Sequence, residues 1–137
     1  SLTVLSPSEQ DDWDNLNDWS VVLKLVYGEN SFLFMGDAET PVEKQLLDSG
    51  TDLTCDVLKV GHHGSDTSTS PSFLKTAAPN FAVISCGKDN TYGHPHAETL
   101  KKLDDQGATV LRTDEDGTIL AVSDGKNVTA APLSPAA

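Results

Sequence analysis

Apolar residues in this chain come in short runs, strand-length rather than helix-length, separated by polar and glycine-rich breaks. The opening Leu2-Thr3-Val4-Leu5 reads as a strand. Val21 to Tyr27 and Phe32 to Met35 flank Gly28-Glu29-Asn30, the signature of a β-hairpin. Val57, Leu58 and Val60 are the types that fill a strand covered on both faces, and Phe81-Ala82-Val83-Ile84-Ser85 is a second such run. Helix signals lie between them. Thr40-Pro41-Val42-Glu43 reads as a capping box with proline at the first helical position, and Gly50 sits where a C-cap belongs, predicting a helix from Pro41 to Ser49. Ser70-Pro71 opens a short helix that ends before Pro79. Leu100 and Leu103 share one face of a helix from Ala97 to Gln106, closed by Gly107. Thr109 to Thr113 and Thr118 to Val122, around Asp114-Glu115-Asp116-Gly117, predict a last hairpin.

This alternation of strand and helix predicts an α/β fold with right-handed βαβ units and helices packed on the sheet. Ser6 to Ser20, with five acidic residues among Trp13 and Trp19, reads as a solvated acidic connector with one or both tryptophans pinned to the body; EF-hand spacing is absent. Beyond about Lys126 the chain turns to Ala, Pro, Ser and Thr, too poor in large apolar residues to pack. The expected division is a domain over 1–125 and a disordered tail over 126–137.

Composition narrows the chemistry. At 137 residues one domain can bury a core without disulfides or a structural metal. Twenty-one acidic against nine basic residues give a net charge of −12, the wrong sign for gripping phosphates with side chains alone. An anionic substrate would need cations as intermediaries. Cys55 and Cys86 make no disulfide framework; both are expected in the core, at opposite edges of a parallel sheet. No run approaches the roughly 18 to 20 apolar residues of a membrane span, and no signal segment opens the chain, which reads as soluble. Its start, without methionine and already in a strand, suggests a piece of a longer protein.

The four histidines are the candidate chemistry. Asp37 and Glu39 follow one predicted strand, His62 and His63 the next, and His94 and His96 the third. In open α/β sheets ligands bind at the carboxyl ends of the strands, so these residues should gather on one rim. Neutral imidazoles with a carboxylate suit zinc, manganese or iron, and the lack of a thiolate at this rim argues against a structural zinc-thiolate site. Asp37 is read as a ligand rather than a helix cap, because Thr40 already fills the capping role. Only one of the adjacent histidines should ligate, since neighbours on extended backbone point opposite ways. His94, between Gly93 and Pro95, looks aimed at a ligand, whereas His96 stands immediately before a helix and has a capping alternative. Lys88 lacks the glycine spacing of a phosphate loop, and Lys59 is expected to snorkel from its strand.

Three segments in order, Phe34-Met35-Gly36-Asp37-Ala38-Glu39, Asp56-Val57-Leu58-Lys59-Val60-Gly61-His62-His63-Gly64-Ser65 and Gly87-Lys88-Asp89-Asn90-Thr91-Tyr92-Gly93-His94-Pro95-His96, carry a resemblance. Together with Leu111 to Gly117 they resemble the metallo-β-lactamase-fold domain of ComEC-type DNA-internalisation competence proteins, over about Leu2 to Leu120. The resemblance implies the C-terminal part of an αββα sandwich, with mixed sheets, βαβ units and a terminal β-hairpin. It also implies a hydrolytic site with two divalent ions, Zn2+ or Mn2+. Asp37 then corresponds to the metal-bridging carboxylate and His63 to the late histidine ligand. His62 is left as a catalytic or substrate-facing residue, and His94 as a phosphate contact or an acid near the leaving group. Ser65 and His96 are further candidates for substrate binding.

The superfamily's His-x-His-x-Asp-His motif is absent from this sequence, as is a further histidine expected between it and Asp37. The chain is therefore expected to bind metal weakly and to be inactive alone, completed by the upstream half of the same domain. The implied function of the parent is phosphodiester hydrolysis on single-stranded DNA during uptake. The domain would lie outside the bacterial cell membrane, tethered to a transmembrane channel region. Two alternatives stand beside this: a secreted phosphoesterase of the same fold acting on small or cell-wall phosphoesters, and a non-catalytic binding or scaffolding domain.

Overall fold

A computed structural model describes residues 1–134. Its main sheet has six strands: β1 (Leu2–Ser6), β2 (Val22–Tyr27), β3 (Asn30–Phe34), β4 (Val57–Lys59), β5 (Phe81–Ile84) and β6 (Thr109–Arg112). They lie side by side in sequence order. β1, β2 and β3 are antiparallel neighbours, and β3 to β6 run parallel. Each parallel step carries a helix: α1 (Thr40–Asp48), α2 (Pro71–Ala77) and α3 (Ala97–Asp105). Because all crossovers advance in one direction, right-handedness places the three helices on one face. Leu33, Met35, Leu58, Val60, Ala82 and Ile84 point into that layer and are at most 1% exposed. Val42 and Leu46 of α1, Phe73, Leu74 and Ala77 of α2, and Leu103 of α3 meet them there.

The other face is apolar too. Directly paired residues share a face, so the register draws Leu25, Phe32, Val57 and Phe81 into one row across the sheet, and Leu23, Phe34, Lys59, Val83 and Leu111 into the next. A second, two-stranded sheet lies over these rows, formed by β7 (Ile119–Ser123) and β8 (Val128–Pro132). Its turn is tied to the β2–β3 turn: Glu29 N–H donates to the Gly125 carbonyl at 2.6 Å and Ser123 Oγ donates to Asn30 Oδ1 at 2.7 Å. Between hairpin and sheet remains a cavity of about 540 Å³, lined by Phe32, Phe34, Val57, Lys59 and Ile119 among others. Burial there pushes the Lys59 ammonium below its ordinary pKa, and its Nζ donates to the Val60 carbonyl.

The architecture is a mixed α/β sheet with βαβ units and a terminal antiparallel hairpin. Four expectations need correction. β6 does not pair with β7; α3 carries it back to the edge of the main sheet beside β5, and residues 113–116 form a single helical turn, α4 (Thr113–Asp116). The terminal hairpin is β7 with β8, so Val128–Pro132 is a strand rather than a disordered tail. Small residues suffice there because the partner strand supplies the hydrogen bonds; the last three residues of that expected tail lie outside the described residues. Thr40 is not the cap of α1, whose N-cap position is Glu39 with no side-chain capping bond. The Glu43 carboxylate, 1% exposed, turns away from its own helix and accepts the backbone N–H groups of Thr69 and Ser70 before α2. Finally, Cys55 is buried but Cys86 is only half-buried, on the rim of the site, and both are free thiols.

Candidate metal centre

Three of the four parallel strands, β3, β4 and β5, deliver the loops that follow them to one edge. After β3, Gly36 is followed by Asp37, whose N–H donates to Ser20 Oγ at 3.0 Å. Beyond β4 the backbone turns through left-handed conformations at His62 (φ 44°) and His63 (φ 55°). The pair is thus not extended, and its two rings do not point opposite ways: they lie 6.3 Å apart and edge-on, and both line the same cavity. Past β5 the segment 87–96 folds back on itself: Asn90 Nδ2 donates to the Gly87 and His94 carbonyls, and Asn90 Oδ1 accepts from His94 N–H at 3.0 Å. Gly64 joins the two histidine loops through its carbonyl, which accepts from His96 N–H at 3.0 Å.

His63 Nδ1 lies 2.6 Å from the Ser85 carbonyl, so it must be the protonated nitrogen there. Its Nε2 lies 3.3 Å from Asp37 Oδ1. A divalent cation bound by both would take the place of the proton that an imidazolium shares with a carboxylate at that distance. That donor set, one imidazole oriented by a backbone carbonyl and one carboxylate, fits a divalent metal. It is a corner and not a complete cage: among the described residues no group of three or more His, Cys, Asp or Glu is arranged to hold an ion.

His62 faces a different set of partners. Its Nδ1 is 3.1 Å from Glu39 Oε1 and 3.3 Å from Thr67 Oγ1. Glu39 is held in turn, with Oε1 accepting from Asn17 Nδ2 at 2.8 Å and its N–H donating to Asp18 Oδ1 at 2.9 Å. The acidic segment read as a connector therefore supplies Asn17, Asp18 and Ser20 as braces under the 37–39 segment, with Leu16–Trp19 wound into a short 3₁₀ turn. Glu39 lies on the rim as expected, with a role the sequence does not assign; Thr67 and these braces have no signal in the sequence.

His94 sits at the centre of the cluster. Its ring is stacked on His63 (centroids 6.3 Å, planes 20° apart) and on Tyr92 (5.6 Å, 18°), and it meets His62 and His96 edge-on. Burial lowers its pKa below the ordinary imidazole value, and the neighbouring His96, His62 and His63 push the same way. Asp37, His62, His63, Tyr92 and His94 together line a cavity of about 220 Å³.

Two expected substrate contacts are turned elsewhere. Ser65 is 3% exposed and its hydroxyl is 3.0 Å from Thr67 Oγ1, inside the loop. His96 Nδ1 accepts from Asp66 N–H at 3.0 Å, and its Nε2 lies 3.3 Å from the Tyr92 carbonyl, so both ring nitrogens are engaged in holding the two loops together. Asp66 Oδ1 is also 3.2 Å from Nδ1.

Imidazoles and a carboxylate gathered at the carboxyl edge of a parallel sheet, with helices behind, define an α/β domain with a metal-competent rim. The chain belongs to the metallo-beta-lactamase superfamily, whose family model matches residues 16–88, just over half of its length. It is 43% identical over 116 residues to ComE operon protein 3 of Bacillus subtilis, a match covering 85% of this chain and 15% of that protein. It is 40% identical over 116 residues to Competence protein ComA of Neisseria gonorrhoeae, covering 84% and 17%, and 38% identical over 103 residues to Recombination protein 2 of Haemophilus influenzae, covering 75% and 13%. The chain thus spans less than a fifth of the length of these curated relatives.

Proposed function

We propose that this chain is part of a metal-dependent phosphodiesterase that processes DNA in competence-related uptake. The observation that carries the reading is the pairing of His63 Nε2 with Asp37 Oδ1 at 3.3 Å beside His94, a nitrogen and a carboxylate oxygen of the types that ligate divalent ions. Divalent ions held there would activate water and neutralise charge developing on phosphate oxygens. The chain's own residues do the rest. Ser85 keeps the His63 proton on Nδ1, and Ser20 anchors the backbone of Asp37. Glu39 and Thr67 orient His62 so that its Nε2 is directed away from them and toward substrate. His94 is placed to contact a phosphate oxygen or, when protonated, to give its proton to the departing one; burial lowers its pKa, which favours the first role.

Cations also resolve the charge problem, because a domain of net charge −12 repels a polyanion everywhere except where metal sits. The competence-related role is supported by the similarity to Competence protein ComA and ComE operon protein 3. An upstream half of the same domain would complete the ligand set. A placement outside the cell membrane, beside a channel region, follows the same resemblance; among the described residues no helix is long and apolar enough to cross a membrane.

The test is cleavage of single-stranded DNA under Mn2+ and Zn2+ by this chain and by the full-length protein, each with Asp37→Ala as control. We expect turnover only in the longer protein, abolished by the substitution. No cleavage of DNA but hydrolysis of small choline or nitrophenyl phosphoesters would favour the small-substrate reading, and neither activity nor bound metal would favour a scaffold.

A further inference from the structure

We propose that Tyr92 is a nucleobase-stacking platform that seats an unpaired base beside the metal corner; this deepens the DNA-processing reading and rests on it. An exposed tyrosine alone means little. Here the ring is the outer end of a column. Tyr92 lies nearly parallel to His94, with 18° between planes, and His94 nearly parallel to His63, with 20° between planes, so three rings lead from solvent to the imidazole that faces Asp37. Tyr92 is 76% exposed, so its ring offers open surface beside His94. Tyr92 also lines the same small cavities as Asp37, His63 and His94.

The platform is held in place by its loop. The Tyr92 carbonyl is engaged by His96 Nε2, and Asn90 closes segment 87–94 with three hydrogen bonds. A loop ordered before a ligand arrives loses little backbone entropy on binding it.

Charge supplies the reason such a platform is needed. Single-strand binders ordinarily track the backbone through a basic groove, which this acidic chain does not offer. Stacking on an aromatic ring tolerates any sequence and is insensitive to the sign of the surrounding field. It also selects against duplex, because a paired base has no free face to offer. Tyr92 is then a specificity-determining contact and takes no part in bond breaking.

The experiment measures binding of a short single-stranded, cleavage-resistant phosphorothioate oligonucleotide carrying 2-aminopurine to the full-length protein under Mn2+, by fluorescence quenching. Tyr92→Ala should weaken binding roughly 5- to 100-fold and remove the quenching, while Tyr92→Trp retains both. An abasic strand should bind wild type as weakly as the ordinary strand binds Tyr92→Ala. Equal binding by wild type and Tyr92→Ala, or equal loss for the abasic and ordinary strands, overturns the proposal. Cleavage by wild type under Mn2+ or Zn2+ is scored separately. Base-dependent binding without cleavage keeps the platform and refutes the phosphodiesterase reading, and cleavage with Tyr92-independent binding does the reverse.

Discussion

Gly64 is where the two histidine loops touch, and Gly64→Ala is the sharpest probe of the arrangement. A Cβ built there falls 2.6 Å from Pro95 Cβ, 3.2 Å from Pro95 Cα and 3.4 Å from Ile84 Cγ2. Carbon atoms in contact sit at about 3.5–4.0 Å, so the 62–65 and 94–96 loops must separate by about 1 Å. Pro95 and Ile84 are buried and cannot yield at low cost. The residue also has φ +80°, where a side chain costs about 1–2 kcal/mol. Adding about 1–3 kcal/mol for overpacking gives a total of about 2–5 kcal/mol. For a chain of this size the melting temperature should fall by on the order of 10 °C. Separating His94 from His62 and His63 by such a distance should also lower phosphodiesterase turnover about 100-fold. Gly50→Ala is the control: φ is +71° but nothing lies within 4 Å, so it carries backbone strain without the clash and leaves the site alone. The assay pairs thermal melting with imidazole NMR shifts and turnover in the full-length protein. A Gly64→Ala protein that melts no lower than Gly50→Ala, with wild-type histidine shifts and turnover, would refute the reasoning.

Glu39→Ala should lower turnover roughly 10- to 100-fold with little change in KM, because His62 loses the carboxylate that orients it; an equal fall in melting temperature and none in kcat would assign Glu39 to stability alone. Glu43→Ala leaves the Thr69 and Ser70 N–H groups without their acceptor, so urea unfolding should show a loss of about 2–4 kcal/mol, and an unchanged midpoint would contradict the role given to this carboxylate. Hydrogen bonds from Lys24 and Thr54 hold the Asp52 pKa at about 2, below its ordinary 3.8. Its contribution is therefore present above about pH 4 and lost as pH falls toward about 2. Because Asp52 is largely exposed the effect is small, visible as a flatter acid limb in Asp52→Asn than in wild type; identical limbs would remove the group from the acid transition.

Which segments became strands and helices was legible because burial writes itself into residue type. Val57, Leu58 and Val60 can only be covered on both faces, and Ser70-Pro71 does cap α2, with Ser70 Oγ accepting from Phe73 N–H. The rim was legible for a related reason: once β3, β4 and β5 are parallel, the residues that follow each of them must share an edge, which brought Asp37, His63 and His94 into one neighbourhood. What stayed hidden were choices between partners. An apolar run such as Thr109 to Arg112 states that it will be buried, and not against which strand. Its pairing with β5 followed from the α3 crossover, and that left β7 free to recruit β8. Thr40-Pro41-Val42-Glu43 is a sound local cap, overridden because the fold places unsatisfied N–H groups of Thr69 and Ser70 beside Glu43. Likewise nothing in the chain between Asp11 and Ser20 announces that Asn17 and Asp18 reach Glu39, more than twenty residues away. The sequence by itself determined the elements, their order and the edge that carries chemistry, since these follow from composition and local periodicity. Tertiary structure alone decided which nitrogen of His63 is free, which carboxylate turns His62, and that Ser65 and His96 bind the protein's own loops, because hydrogen-bond geometry depends on neighbours that only folding brings together.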